Sequence, residues 1–233
     1  PASTRAWPGA WPGAEPRRAL HRQARAAYPL GMTRAAPLRI ETVPADRIAP
    51  LLPALARLRQ AVFRGWPYLY DGDAASEAEY LAPFARSPRA GLVVAFDGAT
   101  PVGCATCLPL AEAEDAIADP FRAARLDPAD FFYFGESMLM AEYRGRGAGV
   151  AFFAAREAHA MATSACTSAT FCAVQRPDGH PLKPPGAATL AAFWRHRGYT
   201  PMPGLSCTLR WKQVDTAGEV ENTLDFWRRA LPR

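Results

Sequence analysis

The chain has 233 residues, enough for one large domain or two small ones, and 49% hydrophobic content with 11% aromatics supplies a sizeable core. Its apolar runs are short and broken by charges, none approaching the roughly 20 residues of a membrane-spanning helix, so a soluble protein without a membrane partner is expected. The formal net charge of +5 sits in the first 37 residues, where Arg5, Arg17, Arg18, Arg22, Arg25 and Arg34 face the single acid Glu15; the balanced remainder argues against a nucleic-acid partner.

Residues 1–37 are rich in Pro, Ala and Arg, lack periodicity, and read as a disordered leader. This leader has no apolar stretch of the secretory kind, although its arginines and scarce acids superficially resemble an organelle transit peptide. No methionine precedes Met32, so Met32 is read as the first residue of the protein, with the apparent start misplaced. One domain is expected over residues 38–233.

"LRIETV" (38–43) predicts a first strand, and Leu51, Leu55, Leu58 and Val62 recur at helical spacing in the following segment. An aromatic loop, "RGWPYLYDGD", with a turn at Asp71-Gly72, leads into a short helix. "GLVVAFDGATPVGCATCLPL" reads as a hairpin about the turn Asp97-Gly98. A mixed acidic and helical insert then precedes "FFYFGESMLM", whose aromatic alternation makes it the clearest strand of the chain. A helix runs from the glycine-rich segment to about Ala162, "SATFCAVQRP" is a strand, and "GAATLAAFWRHRG" is a helix stopped by Gly198. "LSCTLRWKQV" and "NTLDFWRRAL" close the chain as two strands. The order implies an α/β architecture of the α+β type: one mixed, mostly antiparallel sheet with flanking helices.

Five cysteines do not suggest a disulfide framework, and a reducing, cytoplasmic setting fits them. Cys104 and Cys107 have metal-ligand spacing, but three residues apart on a strand they point to opposite faces. They read as ordinary buried thiols, and no metal is expected.

Gly145, Gly147 and Gly149 lie between a strand and a helix with Arg144 and Arg146 beside them. The unpaired amides and dipole of a helix start suit phosphate oxygens, and glycines allow close approach; a merely tight turn is the alternative. The segment is not a P-loop, since Gly149-Val150-Ala151 stands where Gly-Lys-Ser/Thr is required, and Val150 or Phe152 breaks a dinucleotide fingerprint. Arg144, Gly147 and Gly149 do meet the pattern Arg/Gln-x-x-Gly-x-Gly/Ala. This resembles the acyl-CoA-binding motif of the GNAT superfamily of N-acetyltransferases. "FWRHRGY", with Phe193, Trp194, Gly198 and Tyr199, resembles a later helix end of that family, and the element order from about Leu38 to Leu231 matches its topology.

The resemblance implies acetyl-CoA as co-substrate and a small-molecule or amino-acid-like primary amine as acceptor. It places the pyrophosphate on the backbone of Arg144, Gly145, Arg146, Gly147, Ala148 and Gly149. The pantetheine arm would run along Met138, Leu139 and Met140, with Trp194 nearby. Transfer to an amine needs a base. Glu136, set in an apolar strand where burial of an unpaired charge is costly, reads either as that base or as a structural partner for an arginine or a backbone amide. Glu157 reads as a locally paired residue on the apolar side of its helix, with Val150, Phe153 and Ala154.

Trp194 stands where many relatives have a tyrosine acid, and an indole only donates hydrogen bonds. Tyr199 is therefore carried as the catalytic acid, with His196 and Tyr143 as alternatives and unassisted departure of the thiolate as another. His180 reads as a loop histidine or a substrate contact. Trp66, Tyr68 and Tyr70, with Arg64 and Asp71, would wall the acceptor pocket or simply pack a loop. The family resemblance also admits a homodimer, and the reading from another class is a catalytically silent acyl-CoA-binding module.

Overall fold

Seven strands form one sheet in the order β1-β2-β3-β4-β5-β7-β6. They are β1 (Arg39–Val43), β2 (Gly91–Asp97), β3 (Thr100–Pro109), β4 (Phe131–Leu139), β5 (Ser168–Val174), β6 (Thr200–Lys212) and β7 (Glu219–Ala230). The structure is a computed structural model, and it describes residues 36–73, 77, 84 and 86–232. The leader read over residues 1–37 lies, apart from Ala36 and Pro37, outside the described residues, as does most of the short helix expected after Gly72. Residues 37–233 form one compact unit. Among the described residues no helix is long and apolar enough to cross a membrane.

Every neighbouring pair is antiparallel except β4 and β5, which run parallel. A parallel pair needs a crossover, and α3 (Ala148–Thr163) provides it. The helix lies on the face where Phe152 meets Val93, Ala95 and Ala105, and Phe153 joins the cluster of Phe132, Phe134 and Phe171. Among the described residues, two helices cover the opposite face. Leu55, Leu58 and Phe63 of α1 (Leu52–Phe63) pack on Leu92, Val94, Cys104 and Met138, and Ile117 and Phe121 of α2 (Asp115–Ala123) pack on Tyr133, Leu224 and Phe226. The short α4 (Ala191–His196) brings Phe193 and Trp194 to the edge of the α3-side cluster.

Two irregularities shape the centre of the sheet. β4 and β5 pair only over Phe131–Tyr133 with Ser168–Thr170, after which β4 stays with β3 as far as Leu139 while β5 stays with β7 as far as Val174. The sheet therefore splits into a V. The second is a bulge: Ala105 pairs with Ser137 but Cys107 pairs with Phe134, so Gly135 and Glu136 together oppose Thr106. Phe132 and Phe134 face α3, and unbroken alternation would send Glu136 and Met138 the same way. The extra residue reverses them, and Met138 packs instead with Leu55 and Cys104 under α1. A side chain at Gly135 would put its Cβ 2.7 Å from Thr106 Oγ1, so this close approach needs glycine.

The alternation argument holds for Cys104 and Cys107, which enter the α1-side and α3-side clusters respectively. All five cysteines are free and buried. Burial pushes the thiols of Cys104 and Cys107 up to about 12, far from the thiolate form that reacts. Iodoacetamide at pH 8 is therefore expected to leave both unmodified in the native protein and to label both in denaturant, read by peptide mass spectrometry.

Candidate acyl-CoA and acceptor site

β4 ends at Leu139, a single 3-10 turn spans Ala141–Tyr143, and the chain enters α3 through Gly145 and Gly147, at φ +76° and +85°. A Cβ at either glycine would meet nothing within 4 Å, so the backbone angle rather than crowding demands glycine, and the surface before the turn is open. Gly147 is the N-cap and makes no side-chain cap bond. The amide of Ala151 donates to Gly147 O (3.1 Å), leaving the amides of Ala148, Gly149 and Val150 ahead of the first helical bond. No acidic residue stands in the first turn of α3.

Arg144 and Arg146 are exposed and fold back on the turn, donating to Leu139 O and Glu142 O, both at 3.3 Å. The Arg146 guanidinium lies 4.9 Å from the Tyr143 ring, and Tyr143 donates its hydroxyl to Asp97 (3.1 Å). That bond to Asp97 raises the Tyr143 phenol above its ordinary value and commits it to the turn. A Cβ on Gly149 would sit 3.6 Å from the Phe193 ring, so α4 rests directly on the third glycine.

On the α3 face, Trp194 packs edge-on against Phe171 and Trp227, with ring centroids at 5.0 and 5.1 Å. Tyr199 is wholly buried among Phe134, Phe153 and Phe171 and donates its hydroxyl to Glu157 (3.0 Å). Burial, then the Glu157 charge, drives this phenol far above its ordinary value. Two expectations are thereby corrected. Tyr199 and Glu136 lie on opposite faces of the sheet, and a sealed hydroxyl already bonded to a carboxylate is not placed to act as an acid beside Glu136. Glu157 does not pair locally: both its oxygens accept from Arg229 of β7 at 2.9 Å, and Arg197 lies at 3.7 Å. The buried side of α3 carries Phe152, Phe153, Arg156, Glu157 and Ala160, whereas Ala154 is exposed and Val150 is 45% exposed.

On the α1 face, Glu136 is 8% exposed and forms an ion pair with Arg59, which also pairs with Glu77; those two are 5% and 0% exposed. The backbone amide of Glu136 donates to Thr106 Oγ1 (3.0 Å), which anchors the bulge. From α3, through the sheet, Arg156 donates to Glu136 O (3.2 Å), Thr106 O (3.4 Å) and Ser137 Oγ (2.9 Å). Sequence reasoning missed Arg59, Glu77 and Arg156. The first and third had a readable signal, since each is an arginine set among the apolar positions of an amphipathic helix.

The aromatic loop divides its residues. Tyr70 joins the Glu136 cluster: its ring centroid is 5.6 Å from the Arg59 guanidinium, and burial, then Glu77, raises its phenol. Tyr68 packs on Phe63 and Trp211 (4.5 and 6.2 Å), and Trp66 meets His180 edge-on at 5.3 Å. Asp71 pairs with Arg64 and with Lys212 (2.8 Å), and the Lys212 bond, then that of Arg64, lowers its carboxyl. Arg176 donates to Pro67 O (2.7 Å) and Tyr68 O (2.9 Å), while Tyr70 bridges to Gln213, so the loop is fastened to β6 and the segment after β5.

No family model and no curated protein matches the sequence. Solved structures do match its architecture. A Desulfovibrio desulfuricans protein assigned to the GNAT family of acetyltransferases is 13% identical, with a TM-score of 0.51 over 84% of this chain and 99% of its own. A ribosomal-protein-alanine N-acetyltransferase from Brucella melitensis is 17% identical, with a TM-score of 0.52 over 83% and 100%. An acetyltransferase-like protein from Salmonella typhimurium, solved with acetyl-CoA, is 11% identical, with a TM-score of 0.53 over 85% and 96%. Such identities speak to the fold alone. The chain has the fold of the GNAT superfamily of N-acetyltransferases.

Proposed function

We propose that this protein is an acyl-CoA-dependent N-acetyltransferase that transfers an acetyl group from acetyl-CoA to a primary amine of a small or amino-acid-like acceptor. The observation that carries the reading is the V between β4 and β5, which opens beneath an uncapped helix start whose glycine turn faces open space. The Arg144 amide already donates to Ala141 O (3.2 Å), which removes it from the expected set; the amides from Gly145 to Gly149, aided by the Arg144 and Arg146 charges, suit a pyrophosphate. The backbone of Met138, Leu139 and Met140 borders the V, with Trp194 beyond it. Acetyl-CoA supplies an activated thioester.

The acceptor reacts as a free amine, so a proton must leave its ammonium. Glu136 Oε2 is buried and has no hydrogen-bond partner among the described residues, which leaves it able to take that proton. The amine nitrogen forms the new C–N bond as the C–S bond breaks, and the second proton that the nitrogen loses on becoming an amide passes to solvent. With Tyr199 buried and Tyr143 committed to Asp97, the departing thiolate takes its proton from solvent. Tyr70, beside the Arg59 guanidinium, is the loop aromatic best placed to contact the acceptor, with Trp66 and Tyr68 shaping the loop behind it.

Thermal unfolding with acetyl-CoA, CoA or ATP tests the donor site. A ligand bound only to the native state at about 100 times its Kd stabilises it by roughly 2.7 kcal/mol, so both CoA species should raise the Tm and ATP should do little. No shift with either CoA species in folded protein sinks the proposal. A screen of amines against acetyl-CoA then tests transfer, where Glu136→Gln is expected to lower kcat by about 10²-fold or more. A shift without turnover of any amine would favour the silent acyl-CoA-binding module, to which Trp194 in place of tyrosine lends support.

A further inference from the structure

We infer that Arg59 and Glu77 are a positioning pair for Glu136, holding its carboxylate in one orientation and dividing the charge of a single guanidinium between two acids. This rests on the proposed role of Glu136 and adds to it. Arg59 Nη1 meets Glu136 Oε1 while Arg59 Nε meets Glu77 Oε2, so one planar group spans both carboxylates. The guanidinium also lies over the rings of Phe63 and Tyr70, at 5.5 and 5.6 Å. Oε1 is thereby taken and Oε2 is left over.

The charges explain why two acids are used. A lone arginine beside Glu136 would stabilise its ionised form and weaken it as a base. Glu77 takes a share of the same guanidinium and adds a negative charge of its own, which restores the proton affinity of Glu136. The cluster then carries one net negative charge, suited to an ammonium-bearing acceptor.

Among the described residues, the other groups around Glu136 leave this balance in place. On the α1 face, Tyr70 is a phenol raised above its ordinary value, and the Cys104 thiol is pushed up to about 12, so both are neutral near pH 7. From the α3 face, Arg156 reaches the Glu136 carbonyl rather than its carboxylate, and the Thr106 hydroxyl meets its amide.

The test is a carboxyl-carbon NMR titration of the full chain labelled at glutamate, with the Glu136 signal assigned from Glu136→Gln. Neither acyl donor nor acceptor is present. The wild-type Glu136 curve is expected to carry two steps, because a second carboxylate shares its guanidinium. Glu77→Gln should give a single step with the midpoint lowered by about one pH unit, and Arg59→Met should raise it by about as much. A single-step wild-type curve overturns the inference even where a variant does not fold, as does a midpoint unmoved in both folded variants. Coupled titration without acetyl-CoA binding would retire the proposed function and leave the pair standing; binding and turnover with a single-step curve would do the reverse.

Discussion

Arg156→Met is expected to destabilise the protein by about 3 kcal/mol or more, the scale of removing a hydrogen-bonded buried cation and leaving its acceptors unpaired. Arg156 is 1% exposed, and among the described residues no carboxylate forms an ion pair with it. Burial accordingly lowers its pKa. The charge is held by four bonds, to Phe152 O (3.3 Å), Thr106 O, Glu136 O and Ser137 Oγ, and by the faces of Phe134 and Phe153 at 4.5 and 4.9 Å. Two of those carbonyls belong to the bulge. Without the guanidinium they lose this donor, and the extra residue that turns Glu136 toward α1 loses its lock. Urea unfolding checks the magnitude. Amide exchange at Glu136 checks the cause, since it should accelerate beyond the global change. A loss below about 1 kcal/mol, typical of surface substitutions, would mean that the bulge holds itself.

This bulge also marks the limit of what the sequence made legible. β4 was readable because aromatic and apolar residues alternate along it, and the glycine turn was readable because three glycines between a strand and a helix have few other uses. Nothing in "FGES" announces that Gly135 and Glu136 will share one partner residue, because that depends on register with Thr106 across the sheet. Glu136 could thus be assigned to its strand but not to a face.

The same long-range dependence explains the two corrections. Helical spacing put Glu157 on the buried side of α3, but its partners Tyr199 and Arg229 come from segments 42 and 72 residues away. Tyr199 follows a glycine at a helix end, where the family resemblance suggested chemistry, and the packing of Phe134, Phe153 and Phe171 around it decides otherwise. Arg59 and Arg156 were missed for a different reason. A charge at a core position of a helix is expensive unless paired, so each carried a signal that partners must exist without saying which.

Gly147→Val is expected to weaken acetyl-CoA binding by about 100-fold, equivalent to about 2.7 kcal/mol, while costing the fold only about 1–2 kcal/mol. Gly147 sits at φ +85°, an angle that a β-branched residue adopts at a penalty, and it is the cap that aims the first amides of α3 outward. A Cβ added there meets nothing within 4 Å, so crowding at that atom does not set the cost. Strain alone must therefore either be borne, at modest cost in stability, or be relieved by turning the loop and dispersing the amides. Gly218→Ala is the matched control, since its added Cβ also meets nothing but its φ lies outside the strained range. It should alter neither Tm nor affinity. Calorimetric titration of both variants with acetyl-CoA separates the outcomes. Affinity lost in Gly147→Val with the fold retained identifies the turn as the phosphate cradle, whereas unchanged affinity would confine the glycine to the geometry of the helix start.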